Sequence, residues 1–306
     1  MKVFVVGATG FVGGAVAQQL RAAGHTVTGL ARNPAAADHL AVRGITPVPA
    51  DLAERADAAL AAGADADAVV FAAQLPPDVE EATVGAFIDA LAGTGKTVLL
   101  VSGTGVFLQR TEGRWSPDSF AEEDPFTPEP LALPRVRTEQ QVRAAEQRGL
   151  RGIVVRPPLL WGPGDHGHIS EIYRSVAVTG AACYVGEGLN TYSHLHVDDA
   201  SRLVVAALEN GPAGALYHGV AGEVPNRWIA ESVARDLGCP TRSLRPAEAV
   251  TVWGEFGALV MGASSRCRTT GTGAALGWAP THPDMLSMIG EPRLRALARP
   301  VSAARR

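Results

Sequence analysis

The feature that most constrains this chain is its opening run, MKVFVVGATGFVGGAV, in which an apolar segment of strand length breaks on Gly7 and a helical pattern starts almost at once. Gly7, Gly10 and Gly13 keep G-x-x-G-x-x-G spacing, and Val12, Val16 and Leu20 then fall on one helical face. Glycines at such a place permit a tight turn and let backbone N–H groups and a helix N-terminus come close to a pyrophosphate. The alternation then repeats: TVTGL precedes a helical pattern over 35–42, ITPV one over 54–62, AVVFAA one over 80–92, and TVLLVSG follows. Valine-rich runs of strand length between helices predict parallel βαβ units, and so an α/β fold with a doubly wound parallel sheet.

Past TVLLVSG the pattern changes. Residues 109–134 carry five prolines and six carboxylates, too broken for a regular element, and a loop this long in a compact domain is expected to serve function, often as a lid. A helix over 135–148 should end at Gly149, before the strand GIVVRP. Residues 159–196 and 222–306 look less regular, with helices expected over 168–178, 198–209 and 226–237. This organisation predicts a nucleotide-binding domain from 1–158 with about 197–221, and a smaller mixed substrate-binding lobe from 159–196 and 222–306.

A net charge of -4 gives no basic surplus for nucleic acid. No run of eighteen apolar residues suggests a membrane span. MKVFVV meets Gly7 with no room for a signal peptide, so a cytoplasmic location is expected. Cys183, Cys239 and Cys267 are odd in number and far apart, as reduced thiols would be.

In its Thr9-Gly10-Phe11-Val12-Gly13 turn the chain resembles the short-chain dehydrogenase/reductase superfamily, in its extended, epimerase/dehydratase-like branch. Further matches come in order: Asp51-Leu52, Phe71-Ala72-Ala73, VSGTGVF, RPPLLWGPGD from Arg156, and HVDDA from His196. The resemblance implies a Rossmann sheet and a nicotinamide cofactor, with Asp51 and Leu52 at the adenine, Ala72 and Ala73 along the ribose and phosphates, and a possible homodimer. Arg32 follows strand two where an NAD site would carry an acid. A guanidinium there suits a 2′-phosphate, so NADP(H) is favoured over NAD(H), although one basic residue beyond a strand also reads as plain surface.

The superfamily's proton chemistry rests on a tyrosine, a lysine four residues later, and a serine or threonine at strand five. Aligning the helix through Glu139 puts Leu131 at the tyrosine position and Arg135 at the lysine position. Counting back from Phe107 puts Gly103 at the hydroxyl position, between Ser102 and Thr104. Independently of alignment, the four tyrosines, Tyr173, Tyr184, Tyr192 and Tyr217, are followed four places on by Ala177, Gly188, His196 and Ala221, so Tyr-x-x-x-Lys occurs nowhere. Arginine cannot relay protons near neutrality, but Arg135 can clamp cofactor or substrate. Ser102 or Thr104 through water, or His166 in the loop WGPGDHGH, are the candidate proton carriers, with Asp165 and His168 beside it. His194 and His196 share a strand face without an evident third ligand, so no metal site is expected.

These residues point to an NADP(H)-dependent oxidoreductase acting on a small carbonyl, imine or conjugated C=C compound with a non-standard proton donor. A non-redox isomerase or cyclase, an epimerase, and a catalytically silent NADP-sensing protein remain open alternatives. Trp161, Tyr173, Tyr192, Trp228, Trp253 and Phe256 are candidate pocket walls.

Overall fold

Hydrophobic side chains on both faces of short strands require a cover on both sides, and the chain supplies it with helices. The computed structural model describes residues 1–52, 56–164 and 167–299. The first half alternates as β1 (Lys2–Val6), α1 (Phe11–Ala22), β2 (Thr26–Ala31), α2 (Pro34–Val42), β3 (Thr46–Pro49), α3 (Ala56–Ala64), β4 (Ala68–Phe71), α4 (Pro77–Leu91) and β5 (Thr97–Val101). Then follow α5 (Leu133–Arg143), β6 (Arg151–Arg156), β7 (Leu159–Trp161), α6 (Gly167–Thr179), β8 (Ala182–Val185), β9 (Thr191–His196), α7 (Val197–Asn210) and β10 (Leu216–His218). The chain ends with β11 (Gly222–Pro225), α8 (Asn226–Leu237), β12 (Thr241–Leu244), α9 (Pro246–Gly262), α10 (Thr272–Leu276) and α11 (Pro292–Leu297).

Seven strands form one sheet in the order β10-β6-β5-β4-β1-β2-β3, every neighbouring pair parallel. Alternate residues of β1 serve opposite faces, as a period of two demands. Val3 and Val5 pack with Val16 and Leu20 of α1 and Leu203 and Leu208 of α7. Phe4 and Val6 pack with Phe87 and Leu91 of α4 and Val142 of α5. The edge strand β3 tolerates Pro47 and Pro49 because its outer side needs no ladder hydrogen bonds. Strand order reverses between β1 and β4, the kind of place where an open parallel sheet leaves a crevice beyond its strand ends.

The expectation that 159–196 and 222–306 are irregular is corrected. Strands β11, β9 and β7 form a second sheet, and β12 pairs with β8, over a core that includes Trp161, Ile172, Tyr173, Ile229 and Met285. Strand β9, which carries His194 and His196, is buried along the whole of TYSHLH, polar residues included. Some of its polar groups are satisfied internally, the Ser193 hydroxyl donating to the Cys267 carbonyl at 3.0 Å, while the His194 Nδ1 is buried without a partner. Helix α9 was disguised by Gly254, whose φ of 71° and ψ of 173° bend it in the middle.

The segment 109–134 is also corrected from a free lid to a pinned strap. Backbone bridges join Gln109 to Ser264 and Phe120 to Cys267. Buried Glu122 accepts from the Thr270 N–H at 3.0 Å and the Thr272 hydroxyl at 2.9 Å. Phe120, tilted, and Phe126, edge-on, pack against Phe107 with ring centroids 5.1 and 5.7 Å away. Helix α5 begins at Leu133 and tightens into a 3-10 turn over Ala144–Arg148 before left-handed Gly149. The three cysteines are unpaired, and among the described residues no helix is long and apolar enough to cross a membrane.

Candidate active site

The glycines of the first turn are sterically required. Gly7 has φ of 95°, and a Cβ there would lie 2.7 Å from the Ala73 nitrogen and 2.8 Å from the Ala72 carbonyl. A Cβ on Gly13 would strike the Gly7 oxygen at 2.2 Å. The turn is closed by the Gly10 N–H donating to the Gly7 carbonyl at 2.9 Å. Helix α1 starts at Gly10 with no side-chain cap and no acidic residue in its first turn, leaving its positive end available to an anion. Thr9 and Gly10 are exposed, Phe11 and Val12 half-buried. Ala72 follows β4 beside the turn, its N–H donating to the Val6 carbonyl at 2.9 Å, with Ala73 next to it. Asp51 and Leu52 are half-buried just past β3, and an open groove of about 390 Å³ between α3 and α4 is lined by Leu52, Leu60, Val79, Ala82 and Thr83. Exposed Arg32 stands one residue beyond β2, with no carboxylate paired to it among the described residues.

A second constellation gathers at the C-terminal ends of β5 and β6. Ser102 directly follows β5, and Arg156 ends β6. Both converge on Glu139 of α5, which is 1% exposed. The Arg156 Nε and Nη2 donate to its carboxylate at 2.9 and 2.5 Å, and the Ser102 hydroxyl donates to it at 2.5 Å. The Ser102 proton is therefore committed to Glu139, and what Ser102 presents to a neighbour is a lone pair. Thr104 is buried, its carbonyl accepting from the Ser265 hydroxyl at 2.7 Å. Gly103 between them is extended, and a Cβ there would meet only the Pro157 oxygen, at 3.7 Å. Leu131 is 44% exposed and offers nothing polar.

Arg135 lies one helical turn before Glu139 and finds a partner that no local sequence pattern announces. Its Nη2 is 2.8 Å from Oε2 of Glu80 in the first turn of α4. Glu80 reads in sequence as a helix-start acid favoured by the dipole at a surface, yet it is 1% exposed. Burial pushes its carboxyl up to about 7, against the pull of Arg135 and with the repulsion of Glu139.

The remaining candidates are scattered. Asp165 and His166 lie outside the described residues. His168 is in the core, 2.8 Å from the Asn226 side chain, and burial holds it down at about 4, so it is neutral near pH 7. Tyr173, Tyr192 and Trp161 are buried, whereas Trp228 and Phe256 are exposed. The Trp253 Nε1 donates to the Glu171 carbonyl at 3.0 Å. His194 stands apart, but ligand atoms of His196, Asp198 and His282 do lie within 4.8 Å of one another. Their bonding works against coordination. The Nδ1 of His196 caps α7 by accepting from the Asp198 N–H at 3.2 Å. The two rings stack with centroids 4.2 Å apart and planes at 24°, whereas coordinating lone pairs would lie in the ring planes and converge.

The NAD dependent epimerase/dehydratase family matches residues 3–218 of this chain. An uncharacterized protein of Schizosaccharomyces pombe is 31% identical, covering 94% of this chain and 97% of that protein. A 3-diazoavenalumate denitrifying reductase of a Streptomyces species is 30% identical, over 95% and 99% of the respective chains. Among solved structures, dTDP-glucose 4,6-dehydratase of Bacillus anthracis in complex with NAD superposes with a TM-score of 0.75 at 16% identity, over 98% of this chain and all of that one.

Proposed function

The chain belongs to the NAD dependent epimerase/dehydratase family, and we propose that within it this protein is an NADP(H)-dependent oxidoreductase of a small, uncharged metabolite. The oxidisable or reducible group would be a carbonyl, an imine or a conjugated C=C bond. The observation that carries the reading is the open glycine turn at the sheet's crossover, together with the exposed Arg32 one residue past the neighbouring strand β2. The cradle fits a dinucleotide: Gly7, Gly10 and Gly13 clear space for a pyrophosphate against the α1 N-terminus, Ala72 and Ala73 border it, and Asp51 and Leu52 stand at the adenine end. Arg32 would grip a 2′-phosphate with charge-assisted hydrogen bonds. Bound there, the nicotinamide supplies or accepts a hydride. The substrate would sit between the domain of 1–158 and 197–221 and the lobe of 159–196 and 222–306.

An uncharged substrate is supported by the arginines of that lobe. Six of the lobe's arginines, Arg174, Arg227, Arg266, Arg268, Arg293 and Arg295, are already paired with a carboxylate. A diphosphate such as a dTDP-sugar carries would have to displace those partners. The Streptomyces relative is named as a reductase, which agrees with net reduction. A second reading, a catalytically silent sensor of NADP, is favoured by one observation: Gly103 and Leu131 leave the pocket mouth without a hydroxyl at the two positions that the family uses.

The test is a titration with NADPH and NADH, followed by tryptophan quenching and nicotinamide fluorescence, on wild type and Arg32→Ala. Loss of about tenfold or more for NADPH with little change for NADH is expected, about 1.4 kcal/mol for one charge-assisted contact. Equal losses for both would refute the 2′-phosphate role. Consumption of NADPH with a screened substrate separates a reductase from a sensor, and conversion without net consumption identifies an isomerase or epimerase.

A further inference from the structure

Four carboxylates are buried among the described residues: Glu80, Glu122, Glu139 and Asp199. Of these, only Glu80 keeps a buried oxygen, Oε2, without an aligned hydrogen-bond donor. The Arg135 guanidinium is close to it, at 2.8 Å, but off the line that a hydrogen bond needs. The two ends of this pair also differ in surroundings, since Glu80 is 1% exposed and the Arg135 side chain 27%. A poorly aligned pair with one partner buried and the other at the rim recovers little of its desolvation cost. The arginine, always charged and on a long stem, has solvent or a ligand as an alternative.

We propose that Glu80 is a positioning residue of this site: as a carboxylate it holds the Arg135 guanidinium back against α4, and once protonated it releases that guanidinium to an oxygen of the bound cofactor ribose or substrate. The inference rests on the cofactor site proposed above and on the alignment that puts Arg135 at the family's lysine position, where it can clamp cofactor or substrate. Other charges around Glu80 do not take its place as the latch. From α5, Glu139 is held by Arg156 and Ser102, and Arg137 is held in two-pronged fashion by Glu81 of α4. Asp78 on α4 and Asp57 on α3 are exposed. Burial pushes Glu80 up to about 7, so both of its states are populated near neutrality. A permanently charged group with a titratable restraint thus stands where the family carries a lysine. By linkage, a ligand that takes Arg135 also draws a proton onto Glu80, and protonation tightens that ligand in return.

The test begins on the ligand-free protein. Phenylglyoxal labels arginines, and peptide mass spectrometry gives the labelling rate at Arg135 relative to exposed Arg32 in the same sample, which cancels the reagent's own pH dependence. In wild type this ratio should be several-fold higher at about pH 6 than at about pH 8, on either side of the Glu80 transition. In Glu80→Gln it should be high at both. A flat wild-type ratio overturns the proposal without any variant, as does a pH-dependent ratio that survives in Glu80→Gln. NADH, which lacks the titratable 2′-phosphate, is then titrated across the same range. Wild-type affinity should rise several-fold as pH falls, and Glu80→Gln should hold the higher affinity throughout; parallel profiles overturn release toward the cofactor. If neither NADH nor NADPH binds while the labelling ratio behaves as expected, the cofactor reading fails and the Glu80 latch on Arg135 stands.

Discussion

Replacing Glu80 by glutamine should stabilise the protein above neutral pH and remove one component of its pH dependence. The wild-type carboxyl, 1% exposed, moves from 4.5 to about 7 on folding because burial disfavours its charge. Below the unfolded value it is neutral in both states and costs nothing. Between the two values the unfolded chain ionises while the folded one keeps its proton, so stability falls as pH rises. Above about 7 both states are ionised and the loss is complete. A gap of roughly 2.5 pH units at about 1.4 kcal/mol each amounts to about 3.5 kcal/mol. Glutamine keeps the shape of the protonated acid and cannot ionise, so the variant should lack this loss, and Arg135 is exposed enough to hydrate. Urea melts followed by tryptophan fluorescence at about pH 5 and about pH 8, at constant ionic strength, give the difference between the two proteins. The variant should gain about 2.5 kcal/mol over wild type between the two pH values, or about 4 °C in Tm for a chain of this size. Parallel stabilities would mean that Glu80 is ionised at no cost, and the argument from its burial would fall.

Two further predictions concern the frame of the site. Asp199 in the first turn of α7 accepts from the Thr281 and His282 N–H groups, both at 2.9 Å, and from Arg202 at 2.5 Å; Asp199→Asn should cost about 3 kcal/mol and expose 278–291 to limited proteolysis, and an unchanged urea midpoint would refute it. Burial raises the Asp199 carboxyl, but Arg202, His282 and Thr281 outweigh it and hold it well below the usual range, so this support is present above about pH 4 and is lost only as pH falls further. Gly13→Ala puts a Cβ 2.2 Å from the Gly7 oxygen and should abolish binding of both nicotinamide dinucleotides; wild-type affinity in a folded variant would show that the turn does not hold the pyrophosphate.

The parts of this molecule legible from sequence are those whose cause is local. Valine-rich runs between helical patterns identify β1 to β6, most plainly β1, β4, β5 and β6, where burial on both faces leaves a continuous apolar run, and Gly149 ends its helix in the left-handed conformation that glycine allows. The glycine turn is legible for the same reason, since the excluded Cβ atoms are properties of a few consecutive residues. Contacts between distant segments leave no local mark. Nothing in TYSHLH announces that Ser193 and Thr191 will be satisfied by the backbone and hydroxyls of 264–267. Nothing in PPDVEEA announces that α5 will cross over Glu80. Arg135, where the resemblance implies a lysine, is legible in the sequence, but the buried carboxylate beside it is not.

The pattern of commitments at the pocket mouth also bears on where a substrate proton originates. Ser102 donates to Glu139 at 2.5 Å, and Glu139, held by Arg156 through Nε and Nη2, is a charge-balanced acceptor with no proton to give back. A side chain in the place of Ser102 can serve as proton donor only if its proton is free to reach the substrate, and this one is given to Glu139. Thr104 is buried, Gly103 has no side chain, Leu131 has no polar atom, and arginine does not deprotonate near neutrality. The available partner for Ser102 is then a donor, which a water molecule or a substrate N–H or O–H satisfies. We therefore predict that, with any substrate that the protein reduces, Ser102→Ala lowers turnover less than about tenfold, the scale of one lost neutral hydrogen bond, and that solvent deuterium slows the reaction equally in both proteins. A loss of about a hundredfold or more, the range of a missing general acid, would show that Ser102 turns from Glu139 during turnover and gives its proton to the substrate.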